Sequence, residues 1–238
     1  MSIDFYNKRP PEGPVLQIES ITVPQRDEFD VSLDSVSLTM KRGELAVLLL
    51  KQGVSDYPLP DVISGLVPVE QGTVRVFGEE WKNLSADQQA MARWRIGRVF
   101  TGRGWMSNLD VDENVTLSER HHTLRSLTEI ADESERLARL VGLNELPQGR
   151  PAIVDRSDLR RAEWVRAGMG SPWLIVLERP GRDLPGNWIG QLNKLVQERR
   201  EQGTAVLWLC EAEAEWNDKT LNPSLKLRAE ENKLLVES

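Results

Sequence analysis

The stretch GELAVLLL, residues 43–50, decides the fold class, together with two later stretches of the same kind, WLIVLE (173–178) and TAVLWLC (204–210). In all three, apolar residues follow one another almost without interruption, a pattern typical of a β-strand that is buried on both faces. Such strands form the interior of a parallel sheet that helices cover on both sides. The amphipathic stretch NWIGQLNKLVQERRE (187–201) predicts one covering helix. The sequence therefore predicts an α/β protein built around a largely parallel sheet.

Strands with one solvent-exposed face are predicted on either side of the first buried strand. Apolar and polar residues alternate in LQIESITV (16–23), VSLDSVSLTM (31–40) and GTVRVFG (72–78). Residues 86–95 predict a helix, and IGRVF (96–100) predicts a short strand. From about residue 112 to 170 apolar residues stand at helical spacing, so this part of the chain is expected to be mostly helix.

Composition excludes several classes of protein. The chain has 238 residues, 28% of them charged, and no apolar run approaches the roughly 18 residues of a membrane-spanning helix. The net charge of −7 disfavours a nucleic-acid partner, which requires clustered Lys and Arg. The first 14 residues lack the apolar segment of a signal peptide, and the single cysteine, Cys210, excludes an internal disulfide. We expect a cytosolic protein that does not bind nucleic acid.

Six features stand in an order and at separations that resemble the nucleotide-binding domain of ABC transporters. They are DSVSLTMKRGELAVLLL (34–50), the distance from Gly43 to the Gly65-Leu66 pair, VEQGTVRVFGEEW (69–81), IGRVF (96–100), NLDVDENV (108–115) and SPWLIVLERP (171–180). The resemblance covers roughly residues 16 to 215. It implies a P-loop NTPase-like ABC ATPase fold with a RecA-like core, an antiparallel β subdomain and a helical insert subdomain.

The resemblance also implies a division of the chain. Residues 1–15 are an N-terminal extension that either docks on the body or stays mobile, and residues 16–238 form the ABC nucleotide-binding-domain fold. Within it, 16–100 and about 165–215 are the core and β subdomain, about 101–164 are the Q-loop and helical subdomain, and 216–238 are a C-terminal segment.

The family's Walker A motif, G-x-x-G-x-G-K-S/T-S/T, is replaced at nearly every position. Its amides surround phosphate, its Lys neutralises charge and its hydroxyl holds Mg²⁺. The matching segment here is LKQGVSDYP, which we call the Walker A-like segment (50–58), and only Gly53 is retained. Asp56 stands at the Lys position and Tyr57 at the hydroxyl position, while Pro58 and Pro60 lack amide donors. The other replaced positions are Leu50 and Ser55, each in place of a glycine.

In the remaining motifs, too, the residues that bind or hydrolyse ATP in the family are replaced. Glu178 replaces the Walker B Asp, and Arg179 replaces the Glu that polarises the attacking water, which an arginine cannot do at neutral pH. The other matched positions are Thr101 for the Q-loop glutamine, Glu211 for the switch histidine, Leu184 and Pro185 for the D-loop, Val154, Asp155, Arg156, Ser157 and Asp158 for the signature motif, and a position near Gln25 for the adenine-stacking aromatic. The resemblance therefore predicts a pseudo-ATPase without catalytic residues, in which ATP and Mg²⁺ binding is lost.

The resemblance further implies partners and a location. A membrane permease subunit would dock its coupling helix in the groove around residues 101–115, where Trp105 and Met106 are either interface anchors or plain packing residues. A catalytic ABC ATPase subunit or a second copy of the chain is a further expected partner. The chain would then be peripheral on the cytoplasmic face of the membrane.

Two alternatives remain open from the sequence. The chain could retain weak nucleotide binding or hydrolysis through Glu178 and Glu211, or it could be a soluble adaptor that has left transport. The stretch NVTLSERHHT (114–123) is similar to a short segment of the ATPases that serve Mla/Mce-type lipid-transport systems, and this similarity implies lipid transport as one candidate role.

Three other groups are predicted to have no chemical role. His121 and His122 lack a third ligand at metal spacing and are expected to be solvated, with no metal site. Cys210 follows apolar residues and is expected to be a core thiol. The arginines of residues 156–166 are interleaved with acidic residues and are expected to form a solvated face; they are Arg156, Arg160, Arg161 and Arg166.

Overall fold

A computed structural model describes residues 5, 10, 12–102, 104–184, 186 and 188–237. Its strands are β1 (Leu16–Val23), β2 (Leu33–Met40), β3 (Leu45–Leu49), β4 (Gln71–Val76), β5 (Glu79–Glu80), β6 (Ile96–Val99), β7 (Leu174–Glu178), β8 (Ala205–Cys210), β9 (Leu225–Glu230) and β10 (Lys233–Glu237). Its α-helices are α1 (Leu59–Ile63), α2 (Ala86–Trp94), α3 (Val111–His122), α4 (Leu127–Leu140), α5 (Arg156–Gly168), α6 (Ile189–Glu201) and α7 (Glu213–Trp216). None of the helices in these described ranges is long and apolar enough to cross a membrane.

The larger sheet has six strands in the order β10-β9-β3-β8-β7-β6, and every neighbouring pair except β10-β9 is parallel. The three buried stretches of the sequence form β3, β7 and β8, and every residue of these strands is buried. Successive residues point to opposite faces, so Leu45 and Val47 pack with helices α3 to α6, while Ala46 and Leu48 pack on the other side. The predicted parallel sheet is confirmed.

The smaller sheet is antiparallel, in the order β2-β1-β4-β5, and it packs on the face of the larger sheet opposite helices α3 to α6. In β2 buried and exposed positions alternate along most of the strand, as its sequence predicts for a strand with one wet face. Val36 and Leu38 of β2 join the same core cluster as Leu48 of β3.

Phe5 and the two strands after β8 are tied to this body. The Phe5 ring stacks on Trp173 with centroids 5.9 Å apart, and Arg95 Nε donates to the Phe5 carbonyl at 2.6 Å. At the other end, β9 pairs with β3 and β10 with β9. The sequence predicts only a C-terminal segment over residues 216–238, and its pattern does not indicate these two strands.

The carboxyl ends of β3, β7 and β8 lie at one edge of the larger sheet, because these strands are parallel neighbours. The Walker A-like segment follows β3, Arg179 follows β7 and Glu211 follows β8. Ligands of open parallel sheets bind at this edge, and these three replaced motif positions meet there.

Candidate functional site

The Walker A-like segment is held by a carboxylate from a distant part of the chain. Asp30, in the connection between β1 and β2, accepts hydrogen bonds on Oδ2 from the backbone amides of Ser55 (2.5 Å) and Asp56 (2.9 Å). Its own amide donates to the Asp56 carbonyl at 3.1 Å. The bonds from Asp56 and Ser55, helped by the charge of Arg179, lower the pKa of Asp30. The amides of this loop therefore already hold an anion that the chain itself supplies.

The rest of the segment packs as a connecting loop. The Tyr57 ring is buried in the core, burial raises the pKa of its hydroxyl, and that oxygen has no hydrogen-bond partner among the described residues. Gly53 has a φ of 88°, which favours glycine, and the Asp56 side chain is exposed. Helix α1 has only five residues, and its N-cap Pro58 provides no side-chain cap. Leu50 is buried in the core.

Arg179 connects three of the loops at this edge. Its guanidinium donates to the carbonyls of Val54 and Ser55 and to Thr101 Oγ1 at 3.3 Å. Its Nε lies 2.5 Å from Glu211 Oε1, in an ion pair whose acid is half exposed. The Arg179 side chain is itself buried, with a φ of 44°. A single arginine thus links the positions of four motifs of the family.

Glu178 is paired with a strand arginine. Arg98 Nε of β6 lies 2.5 Å from Glu178 Oε1, and the Thr101 hydroxyl donates to Oε2 at 3.1 Å. Arg98 Nη1 also lies 2.6 Å from Asp61 Oδ1 of α1. Both side chains of the Arg98–Glu178 pair are about nine-tenths buried. Each oxygen of this carboxylate therefore has a partner within the chain.

A cleft of about 500 Å³ opens beside this network, lined among others by Ser55, Arg179, Arg182, Trp188, Glu211 and Glu215. Burial raises the pKa of Glu215 to about 7, against the lowering effect of the hydrogen bond that Trp208 Nε1 donates to it at 2.5 Å. Both signs of charge border the cleft, and the Trp188 ring stacks on Trp208.

The signature-like residues 154–158 begin helix α5. Asp155 is the N-cap, and its Oδ1 accepts from the Ser157 hydroxyl at 2.6 Å and the Ser157 amide at 2.8 Å. The hydrogen bond from the Ser157 hydroxyl, and to a smaller extent the one from the Ser157 amide, lowers the pKa of Asp155. Asp158 lies 3.6 Å from Arg161, Arg156 is exposed and Val154 packs against the core. A carboxylate thus occupies the start of the helix.

The D-loop and adenine-stacking positions make local contacts. Leu184 packs against the helical side of the core, and Pro185 lies outside the described residues. Gln25 is exposed, and its side-chain amide donates to the Phe29 carbonyl at 2.6 Å.

Trp105 and Met106 differ in exposure. The Trp105 ring is half-buried against the core, and the Arg166 guanidinium lies 4.7 Å from its centroid. The Met106 side chain is 53% exposed, while the Asn114 side chain holds its backbone amide and carbonyl at 2.8 and 3.1 Å. Of the two, Met106 offers apolar surface to a partner.

The prediction of a solvated arginine face on α5 is wrong for its central members. Arg160 and Glu163 are buried and form an ion pair of 2.6 Å. Arg160 also donates to the carbonyls of Phe100 (3.1 Å) and Arg182 (3.2 Å), which replace its water. Burial raises the pKa of Glu163.

The remaining candidates lie as follows. Cys210 is buried, as predicted for a core thiol, and burial raises the pKa of its thiol. His121 is exposed, as predicted, whereas His122 is half-buried and stacks on Trp94 with centroids 5.5 Å apart.

Solved structures share this architecture. The chain superposes on a dimeric, post-hydrolysis structure of the ATP-binding cassette MJ0796 with ADP and Pi, with a TM-score of 0.80 and 18% identity, covering 94% of this chain and 98% of that one. An ATP-binding subunit of an ABC transporter gives a TM-score of 0.78 at 18% identity, covering 94% and 90%. The chain has the fold of an ABC-transporter ATP-binding cassette.

Curated sequences similar to this chain include import and export ATP-binding proteins. They include the methionine import ATP-binding protein MetN of Rhizobium johnstonii, 29% identical over 65% of this chain and 42% of the relative. The macrolide export ATP-binding/permease protein MacB of Escherichia coli is 25% identical over 82% of this chain and 30% of the relative. The matches thus span less than half the length of these relatives. No protein-family model matches the sequence.

The side chains and amides at this site differ from a set that would bind Mg²⁺ and a nucleoside triphosphate. The amides that would face phosphate hold Asp30, and both oxygens of Glu178 are taken by Arg98 and Thr101. Arg179, at the position of the general base, is a cation that donates hydrogen bonds. In this arrangement the residues present therefore do not fit Mg²⁺ and a nucleoside triphosphate.

Sequence reasoning missed Asp30 and Arg98. Asp30 lies outside every motif, and Arg98 lies within IGRVF, where only the strand was recognised. An Arg in the short strand IGRVF, beside a second strand that ends in Glu178, was the one available signal for the ion pair.

Proposed function

We propose that the chain is a non-hydrolysing ABC-type subunit, a pseudo-ATPase, with a structural or regulatory role in a membrane transporter complex. The observation that carries the proposal is the position of Arg179: a buried guanidinium occupies the general-base position and binds the carbonyls of the phosphate-facing loop. An arginine remains protonated at neutral pH and cannot activate water.

Residual hydrolysis through Glu178 and Glu211 has less support. Both carboxylates are bound to arginines, Glu178 to Arg98 and Glu211 to Arg179, each with an N–O distance of 2.5 Å. To ligate Mg²⁺ or accept a proton from water, either acid would first have to leave its cation. For the buried Glu178–Arg98 pair this costs several kcal/mol, whereas half-exposed Glu211 would lose less.

The partner we propose is a membrane permease subunit, and the location is the cytoplasmic face of the membrane. The printed functions of the similar proteins, methionine import and macrolide export, support a role in transport. Exposed Met106, in the region matched to the coupling-helix groove, supports the place of contact. The second nucleotide-binding subunit would be a catalytic ABC ATPase or another copy of this chain. We propose no transported substrate, and a lipid stays a prediction.

Nucleotide binding and turnover test whether the chain is a pseudo-ATPase. Purified chain is titrated with Mg-ATP by calorimetry, and phosphate release is followed in parallel. We expect neither binding in the micromolar range nor Mg²⁺-dependent release. The double variant Glu178→Gln, Glu211→Gln identifies contaminating ATPase, because such activity would survive in it. Micromolar binding with turnover that the double variant loses would refute the pseudo-ATPase proposal.

Co-purification tests the second part. Tagged chain is isolated from detergent-solubilised membranes, and recovery of a polytopic permease is quantified by mass spectrometry. Met106→Asp should reduce that recovery, whereas Leu66→Asp, at another exposed apolar residue, should not. A chain recovered only from the cytosol without a permease would favour the soluble adaptor instead.

A further inference from the structure

The amides of Ser55 and Asp56 converge on one oxygen of Asp30, which lies 25 and 26 positions earlier in the chain. The arrangement is separate from a helix terminus, because α1 begins only at Leu59. Successive backbone amides that point at one acceptor form a concave anion site, as in phosphate-binding loops. Here the anion in that site is a carboxylate of the same chain.

Two further observations indicate a site that favours negative charge. The Arg179 guanidinium binds the carbonyls of Val54 and Ser55, which places a cation directly behind the two amides. The hydrogen bonds from the Asp56 and Ser55 amides, with a smaller contribution from the charge of Arg179, lower the pKa of Asp30, although this carboxylate is exposed to water. The electrostatic potential at this loop therefore stabilises a bound anion.

We propose that the Ser55–Asp56 amide pair is an oxyanion site and that Asp30 is its resident ligand, which keeps phosphate and other external oxyanions out of the loop. The inference rests on the proposed function in one respect: a site that no longer serves nucleotide is free to be filled permanently from within. Through Asp30, the connection between β1 and β2 then holds the Walker A-like segment in place of a nucleotide.

The test removes the resident ligand and offers inorganic phosphate without nucleotide. The variants are Asp30→Ala, which vacates the site, and Asp30→Asn, which keeps the shape and removes the charge. The matched control is Asp27→Ala, because Asp27 belongs to the same connection and makes no hydrogen bond or ion pair within the described ranges. Amide exchange at Ser55 and Asp56 is measured by NMR or mass spectrometry, and melting temperature is measured in phosphate against chloride at equal ionic strength.

We expect Asp30→Ala to speed exchange at the two amides about tenfold, as for the loss of a hydrogen bond to a charged acceptor. Millimolar phosphate should then slow that exchange and raise the melting temperature of Asp30→Ala, with a smaller effect in Asp30→Asn. Wild type and Asp27→Ala should not respond to phosphate. Unchanged exchange in Asp30→Ala, or equal phosphate responses in Asp30→Ala and wild type, would overturn the proposal.

Failure of this inference can be told apart from failure of the proposed function. Hydrolysis by the wild type is read from Mg-ATP turnover, whereas the resident ligand is read from exchange at Ser55 and Asp56 in the absence of nucleotide. A wild type that hydrolyses ATP and still protects both amides when nucleotide is absent would refute the pseudo-ATPase alone.

Discussion

Replacing Arg98 by Met should destabilise the fold by about 3–5 kcal/mol, because it leaves Glu178 buried without its cation. The two side chains are 10% and 11% exposed, and Nε lies 2.5 Å from Oε1. Two unit charges with centres about 4 Å apart attract by about 4 kcal/mol at an effective dielectric constant near 20. The electrostatic figure and the mutational range for breaking buried pairs therefore agree.

Chemical denaturation of four proteins measures the effect: wild type, Arg98→Met, Glu178→Gln and the double variant. Because the double variant buries neither charge, it should be more stable than the sum of the single effects predicts, with a coupling free energy of about 2–3 kcal/mol. Arg75→Met is the control, since its bridges to Glu19 and Glu80 are more exposed and should contribute less than about 1 kcal/mol. A cost below about 1 kcal/mol for Arg98→Met, or strict additivity, would refute the view that Arg98 compensates the buried charge of Glu178.

Three further predictions concern the same edge of the sheet. Arg179→Ala should cost about 2–4 kcal/mol in denaturant unfolding because two loop carbonyls lose their donor and Glu211 loses its cation, whereas exposed Arg182→Ala should cost less than about 1 kcal/mol; equal costs would contradict the role of Arg179. Burial raises the pKa of Glu215 from 4.5 to about 7, so the folded state binds its proton more tightly and stability falls as pH rises between these values. Glu215→Gln should therefore gain up to about 3 kcal/mol at pH 8 and nothing at pH 4, and parallel melting curves against pH would argue otherwise. Tyr57→Phe removes a buried hydroxyl without a partner in the described residues and should stabilise by about 1 kcal/mol, measured as a shift of the denaturation midpoint; a loss of stability would show that the hydroxyl is bonded.

The core strands could be predicted because burial on both faces leaves a direct mark on the sequence. A strand such as β3 needs apolar residues on both sides of the sheet, and GELAVLLL has little else. Strands β9 and β10 carry no such mark. They lie at one edge of the sheet, and LKLRAE and KLLVE keep charged side chains partly or fully exposed, so neither differs from an ordinary surface segment.

The site was only partly predictable, since motif spacing locates backbone positions without showing which side chains reach them. The replacements at Glu178 and Arg179 were visible, but their partners Arg98 and Glu211 come from different strand ends that only the fold brings together. The prediction of a solvated face was wrong for buried Arg160 for the same reason. An arginine is expected in water unless carbonyls replace it, and the carbonyls here belong to loops far away in the sequence.

The side chains at this edge are coupled, so on the proposed function we expect that restoring a single motif residue would not create a hydrolysing site. Arg179→Glu would recreate the general base, but it would remove the cation that faces Glu211 and place a new carboxylate near both Glu178 and Asp30. Like charges in a partly buried cluster raise one another's pKa values, so the new acid would tend to bind a proton instead of activating water. The Ser55 and Asp56 amides would still hold Asp30. On the proposed function, a hydrolysing site would therefore require simultaneous changes in the β1–β2 connection, the Walker A-like segment and the ends of β7 and β8, because side chains of these segments bind one another.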